Sequence, residues 1–288
     1  MSVTKQVSLH GKRAYISKDD FLVSSNAHAS GGDGKPAIVL PGSPDTTAIF
    51  DDFYVSVGAD LNGDTGVAGQ NFITRKGDTG TTGLITAGAN GVFRFTPTQT
   101  ATTPGVAGTT FGFVGPTLSW KPNQGPGAYS GRLRFGARIK KSVYTGGEHG
   151  VFVGFTDTTA AEFPVYDTGG SADGAAATNA FGIGWNLASD TGWVGFAVDG
   201  DVLQQVQLTT TVPTANTYVT LEAELHRSNS DTGGTVTFYV DGVAKGTISD
   251  PCNSSTALTP CVYGYDTGGA SLLDIDWVNV SAPRDTGL

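Results

Sequence analysis

The sequence predicts an all-β protein, and three observations carry that prediction. In Thr235-Val-Thr-Phe-Tyr-Val240 the residues Val236, Phe238 and Val240 alternate with Thr235, Thr237 and Tyr239, the period of two expected of a half-buried strand. Asp241-Gly242 follows, and the chain returns through Val243 to Ile248. Asp-Gly between two such runs is a strong hairpin signal, because both central residues of the turn need positive φ. The composition agrees. Glycine occurs 42 times in 288 residues with no G-x-y period, whereas there are only four glutamates and nine lysines and no long 3.6-residue stripe.

Taken in order, the chain first offers a segment unlike the rest. Val7 to Val23 reads as two short strands around a turn, and Ser24 to Pro36 has the composition of a linker. Five of the 17 basic residues precede residue 36, namely Lys5, Lys12, Arg13, Lys18 and Lys35. A tethered segment too short to bury its own core is expected to dock onto something else. We therefore divide the chain into an arm with its linker, residues 1–47, and a body, residues 48–288.

The body opens with Ala48-Ile-Phe-Asp-Asp-Phe-Tyr-Val55, the start of a strand-rich stretch. Further strands are expected at Phe93–Thr96, Leu118–Lys121, Leu133–Lys140, Gly150–Phe155, Phe181–Asn186, Trp193–Val198 and Tyr218–Leu225. Arg132 to Arg138 alternates basic with apolar or small residues, and Thr220 to Leu225 alternates equally well, so each predicts one buried and one wet face. Leu272 to Val280 closes the body and is expected in the same sheet as the Asp241-Gly242 hairpin, as its partner. Asn62–Asn90 and Thr98–Thr110 carry few large apolar side chains and read as long loops.

Charge excludes some functions. The net charge of −9 rests on 22 Asp against 4 Glu. Asp caps turns through its own backbone, so much of this acidity is turn chemistry, yet it argues against a nucleic-acid partner, which needs a Lys/Arg surface. No run of about 18 apolar residues exists, so no membrane span is expected. The N-terminal residues lack an apolar signal core, which predicts synthesis and folding in a cytoplasm. Cys252 and Cys261 stand nine positions apart in one loop. A disulfide between them would contribute roughly 2–3 kcal/mol; the alternative is a pair of free thiols. Two cysteines with no nearby histidine make no zinc site.

Most candidate sites have a plain explanation. Asp-Thr-Gly occurs seven times, at Asp64, Asp78, Asp167, Asp190, Asp231, Asp266 and Asp285. An aspartic protease needs one carboxylate pair sharing a proton, so seven copies read as turns. Asp60-Leu-Asn-Gly-Asp64 begins like a calcium loop, but Thr65 and Asn71 stand where Gly and Glu belong. An Asx-rich hairpin loop is the better reading, and no cofactor or metal is expected. Trp120, Trp185, Trp193 and Trp277 all sit in strand-like runs, where core packing is the default; the first three are candidates for stacking a glycan. The histidines His10, His28, His149 and His226 have no ligand spacing.

The three pieces Ala48–Val55, Thr235–Ile248 and Leu272–Val280 together resemble the concanavalin-like lectin/glucanase jelly roll. In that fold an "FDDF" opening strand lies beside a "DIDWVNV" closing strand, and an "FYVDGV" hairpin is typical. The resemblance implies a jelly-roll β-sandwich preceded by a small extended arm. It also raises two glycan functions, lectin-like binding and hydrolysis. Hydrolysis uses two carboxyls, about 5 Å apart in retaining enzymes. The Glu-x-Asp-x-(x)-Glu signature of the glucanases is absent here. The nearest substitutes are Glu222/Glu224 and Asp274/Asp276, expected to be solvated pairs, so no enzymatic function and no catalytic residue is expected.

Leu9-His-Gly-Lys-Arg-Ala-Tyr-Ile-Ser-Lys-Asp-Asp-Phe-Leu-Val23 is similar to the N-terminal arm of capsid-associated proteins of tailed phages. That resemblance implies a capsid decoration, or cement, protein on the virion exterior. Its partners would be the major capsid protein and further copies of itself, as a homotrimer. Arg13, Tyr15, Phe21 and Leu22 would be its docking residues.

Overall fold

The computed structural model describes residues 5–9, 12–16, 46–51, 72–76, 81–84, 92–96, 105–111, 132–142, 149–157, 165–166, 174–175, 177–186, 191–227, 234–253, 255–266 and 271–283. Their regular structure is entirely strand, and every pairing is antiparallel. Two large sheets face each other. The seven-stranded sheet runs in the order β14 (Val202–Gln207), β13 (Val194–Asp199), β12 (Asn179–Asn186), β9 (His149–Thr156), β18 (Thr259–Asp266), β7 (Gly105–Phe111) and β4 (Phe72–Lys76). The second sheet runs β17 (Val243–Ser249), β16 (Gly234–Val240), β15 (Val219–Arg227), β8 (Arg132–Lys141), β19 (Leu273–Pro283), β6 (Phe93–Thr96) and β5 (Thr81–Leu84), and its eighth strand, β3 (Thr46–Asp51), pairs with β19. Two small sheets stand apart, β1 (Lys5–Leu9) with β2 (Lys12–Ile16) and β10 (Val165–Tyr166) with β11 (Gly174–Ala175).

Side-chain alternation builds the core between the sheets. From the eight-stranded sheet come Leu133, Phe135, Ala137 and Ile139 of β8, Leu221, Ala223 and Leu225 of β15, and Val236, Phe238 and Val240 of β16. Facing them are Val151, Val153 and Phe155 of β9 and Phe181, Ile183 and Trp185 of β12. Phe155 packs edge-on against Phe135 with ring centroids 5.9 Å apart. A Cβ on Gly195 would come within 2.5 Å of the Phe238 ring, so glycine at that point lets the sheets close. The opposite face of the seven-stranded sheet holds a second buried cluster that includes Phe152, Phe196, Cys261 and Tyr263.

The hairpin prediction is met in detail. Asp241 has φ 50° and Gly242 φ 73°, joining β16 to β17. A second turn of the same kind, Gly200-Asp201 with φ 56° and 69°, joins β13 to β14. The opening and closing strands lie side by side as the jelly-roll resemblance implies, with Asp51 opposite Val278 and Ile49 opposite Val280.

Several expectations need correction. The hairpin and β19 share a sheet but are not partners: β16 pairs with β15, and β8 lies between β15 and β19. The stretches read as long loops contain β4, β5 and β7, whose few large apolar residues hid strands that are defined by pairing, β7 to β18, β4 to β7 and β5 to β6. Glu222, Glu224 and Asp274 are not solvated but 2–3% exposed, for reasons given below. Cys252 and Cys261 are both free thiols. They cannot staple the loop because Cys252 packs against the inter-sheet core while Cys261 belongs to the cluster on the other face of the seven-stranded sheet.

Candidate functional site

Two adjoining arrangements gather polar and aromatic side chains. The first is a cavity of about 210 Å³ at the end of the sandwich where β13, β15 and β16 meet. Its lining includes Trp193, Thr209, Val212, Pro213, Tyr218 and Asp241. The segment between β14 and β15 forms one wall and is held at two points, with a further tie from β15 itself. Trp193 N donates to Thr209 Oγ1 at 2.8 Å, and Leu208 N donates to Trp193 O at 2.8 Å. Asn216, in the left-handed region at φ 58°, donates its N–H to Lys141 O at 2.8 Å. Thr220 N donates to Asp241 Oδ1 at 2.9 Å while Asp241 N donates to Thr220 O at 2.8 Å. The wall is thus tied to the strands on either side of it.

The second arrangement lies on the outer face of the eight-stranded sheet. Alternation on β8 sends Arg134, Arg138 and Lys140 to this face, while Leu133 to Ile139 fill the core. Register places Glu222 opposite Gly136, Glu224 opposite Arg134, and Asp274 between Lys140 and Arg94. Arg134 Nη2 donates to Glu222 Oε2 at 2.7 Å, its Nη1 lies 3.3 Å from Glu224 Oε2, and His226 Nε2 lies 2.7 Å from Glu224 Oε1. Gly136 leaves room for this: a Cβ there would stand 2.8 Å from Glu222 Cγ. The glutamate therefore lies flat over the strand beside Arg134 and is buried.

Asp274 takes two hydrogen bonds from Arg94, one from Nε and one from Nη2 at 2.9 Å, and an ion pair from Lys140 Nζ at 3.0 Å. Burial opposes its ionisation, but the bonds from Arg94 and Lys140 outweigh burial and hold its carboxyl below the usual range. The same bond raises the Arg94 guanidinium. Arg138 Nη1 donates to Asp276 Oδ2 at 2.6 Å. Tyr218 joins the two arrangements. It is among the residues lining the cavity, and its ring faces Arg138 Cζ at 4.6 Å and Lys140 Nζ at 4.8 Å from the centroid. Burial is the main cause that raises its phenol above the usual value, with Asp276 and Asp274 adding and Lys140 opposing. It is a hydroxyl donor at neutral pH.

The structure sorts the residues singled out from sequence. Trp193, 4% exposed, belongs to the inter-sheet core and is also among the residues lining the cavity. Trp185, 1% exposed, is core and offers no surface to a glycan. Trp277 is buried opposite Arg138. Arg13 and Tyr15 lie on β2, opposite Ser8 and Gln6 of β1. Trp120, Phe21, Leu22, the Asp60–Asp64 run and every Asp-Thr-Gly aspartate except Asp266 lie outside the described residues. Asp266 ends β18. Neither carboxylate pair, Glu222/Glu224 or Asp274/Asp276, lines the cavity. Among the described residues no group of three His, Cys, Asp or Glu could hold a metal ion.

Sequence reasoning missed Tyr218, Asp241 and the Thr209–Thr217 wall as site residues. The available signal was the hydroxyl-rich run Thr209-Thr-Thr-Val-Pro-Thr-Ala-Asn-Thr-Tyr218 between two strands.

No protein-family model matches the chain, and no curated protein matches it in sequence. Solved structures do. An endo-1,3-β-glucanase from Streptomyces sioyaensis is similar over 86% of this chain and 100% of its own, at 16% identity and a TM-score of 0.51. An endo-β-1,4-glucuronan lyase from the fungus Trichoderma reesei is similar over 83% of this chain and 95% of its own, at 13% identity and a TM-score of 0.50. Peanut lectin is similar over 83% and 97%, at 12% identity and a TM-score of 0.48.

At these identities the likeness shows the fold, a concanavalin-like jelly roll. It also corrects one expectation. A chain read as non-enzymatic shares its architecture with a glucanase and a lyase. The missing Glu-x-Asp-x-(x)-Glu run is therefore no ground for excluding catalysis.

Proposed function

We propose that the chain is a glycan-recognising jelly-roll domain whose saccharide site is the cavity between Trp193, Tyr218 and Asp241. One observation carries the reading: two aromatic residues, four threonines and an aspartate line one concave site. A sugar ring presents an apolar C–H face and a rim of hydroxyls, so it needs an aromatic surface together with a few placed acceptors and donors. Similar solved structures named as a glucanase and a glucuronan lyase support this by analogy of fold.

The test is an array of neutral and acidic oligosaccharides probed with the full chain and with Tyr218→Ala, with a reducing-end assay alongside to read cleavage. Saturable binding that weakens about tenfold in Tyr218→Ala supports the site. Binding to no saccharide sinks the reading.

A second reading, attachment to a virion, is favoured by the β1–β2 hairpin, which pairs Lys5–Leu9 with Lys12–Ile16 as its own two-stranded sheet. We infer that residues 1–47 act as an arm docking the body to a major capsid protein, through Arg13, Tyr15, Phe21 and Leu22. The body would then decorate the head exterior as trimers and stabilise it. Co-sedimentation with phage capsid shells checks this: the full chain should bind saturably and a chain lacking residues 1–45 should not. Equal behaviour of the two would remove the arm's role.

A further inference from the structure

A strand at the rim of a sheet offers a row of backbone N–H and C=O groups with no strand beside them. Folded proteins guard such rows with charge, brevity or a bulge. Among the described residues the rim strands are guarded unequally. β4 carries Arg75 and Lys76, β5 has four residues, and β3 ends on Asp51. β17 carries Lys245 and meets β16 through a register shift at Phe238/Tyr239. β14, Val202-Leu-Gln-Gln-Val-Gln207, has six residues with no charge, no proline and no register shift against its one neighbour, β13. Val202 is 63% exposed, more than any other large hydrophobic residue described. From Val202 to Leu221 the chain holds no charged residue.

Geometry decides which groups that rim offers. Gly200-Asp201 makes a two-residue hairpin turn, so Asp199 and Val202 form its closing hydrogen-bonded pair. At the far end Leu208 N donates to Trp193 O. Bonding alternates along an antiparallel strand. The even-numbered residues therefore bond to β13, and Leu203, Gln205 and Gln207 turn their N–H and C=O away from it. These three are self-complementary. Against a second, antiparallel β14, Gln205 falls opposite the partner copy's Gln205 and Leu203 opposite its Gln207. All three then make hydrogen-bonded pairs about a two-fold axis at Gln205. No charge meets a like charge in this register, which matters between two copies that each carry −9.

We propose that β14 is a homodimer seam, where two copies join their seven-stranded sheets edge to edge into one continuous antiparallel sheet with Gln205 on the axis. A six-residue seam is small, so the dimer belongs to the weak class, with a Kd on the order of micromolar. The seam depends on neither the glycan site nor the N-terminal arm.

The experiment is sedimentation velocity of the full chain from about 5 to about 200 µM, which should show a monomer–dimer equilibrium. Gln205→Pro removes the two N–H donors at the axis. The ladder to β13 is kept, because that N–H faces away from it, and circular dichroism should match the parent. This variant should be monomeric over the same range.

Gln205 is exposed, so charge is tolerated there in the monomer. Gln205→Lys sets two ammoniums across the axis and Gln205→Glu two carboxylates, and each alone should weaken the dimer about three- to fivefold. An equimolar mixture of the two should recover that loss, because opposite charges then face each other. A chain monomeric throughout, or an oligomer that Gln205→Pro leaves intact, overturns the seam. A mixture no tighter than either variant alone overturns the register about Gln205.

Discussion

Asp274 shows most plainly how single residues organise the outer face of the eight-stranded sheet. It is almost fully buried, yet Arg94 and Lys140 both reach it, and their hydrogen bonds lower its folded value against the opposing effect of burial. A carboxylate with a lowered folded value contributes stability that is fully present above its ordinary value, about 4, and is lost as pH falls through the lowered one. Asp274→Asn should therefore cost about 1–3 kcal/mol at neutral pH and show a shallower loss of stability below about pH 4. Urea denaturation across the acid range reads both quantities. Parallel acid limbs for the two proteins would mean that Asp274 does not supply the dependence. Burial also pushes both thiols up, Cys261 in the cluster on the seven-stranded sheet and Cys252 with Asp199 and Asp157 adding.

Among the elements, the two short turns separate backbone conformation from packing. Gly200 has φ 56° with nothing near its missing Cβ, whereas a Cβ on Gly195 would meet the Phe238 ring across the core. Gly200→Ala should cost only the left-handed penalty, about 1–2 kcal/mol. Gly195→Ala carries no such penalty but overpacks the contact between sheets, about 1–3 kcal/mol. Pairing Gly195→Ala with Phe238→Leu should recover part of its loss and none of the Gly200→Ala loss, as measured by denaturation midpoints.

The same elements show what the sequence makes legible. Asp241-Gly242 is readable because its conformation is a local demand on two residues, and β8 is readable because Leu133, Phe135, Ala137 and Ile139 alternate with charge. β18 is harder to read because it contains Pro260. That proline sits opposite Phe155 on β9, before the pairing with β7 begins at Cys261, so its missing N–H has no ladder partner to lose on the β7 side. β7, Gly105-Val-Ala-Gly-Thr-Thr-Phe111, is a strand through its two neighbours, not through its own pattern. The candidate site was less legible than the fold. Trp193 could be named from sequence, but Tyr218 and Asp241 come together only when β15 and the β16–β17 turn lie side by side.

At the scale of the molecule, two stacked sheets place an apolar layer between them and give their outer faces different characters. The seven-stranded sheet carries a buried aromatic cluster, Phe152, Phe196 and Tyr263. The eight-stranded sheet carries the ion-paired layer that runs up to Tyr218. The cavity proposed for a saccharide adjoins that layer, because Tyr218 borders the one and packs on Arg138 and Lys140 of the other.

The most direct measurement is a crystal structure of the full chain with the tightest-binding oligosaccharide from the array. The account predicts a sugar ring against Tyr218 and Trp193, with a hydroxyl at Asp241. A saccharide bound elsewhere on the chain, with the Tyr218 cavity empty, would contradict it.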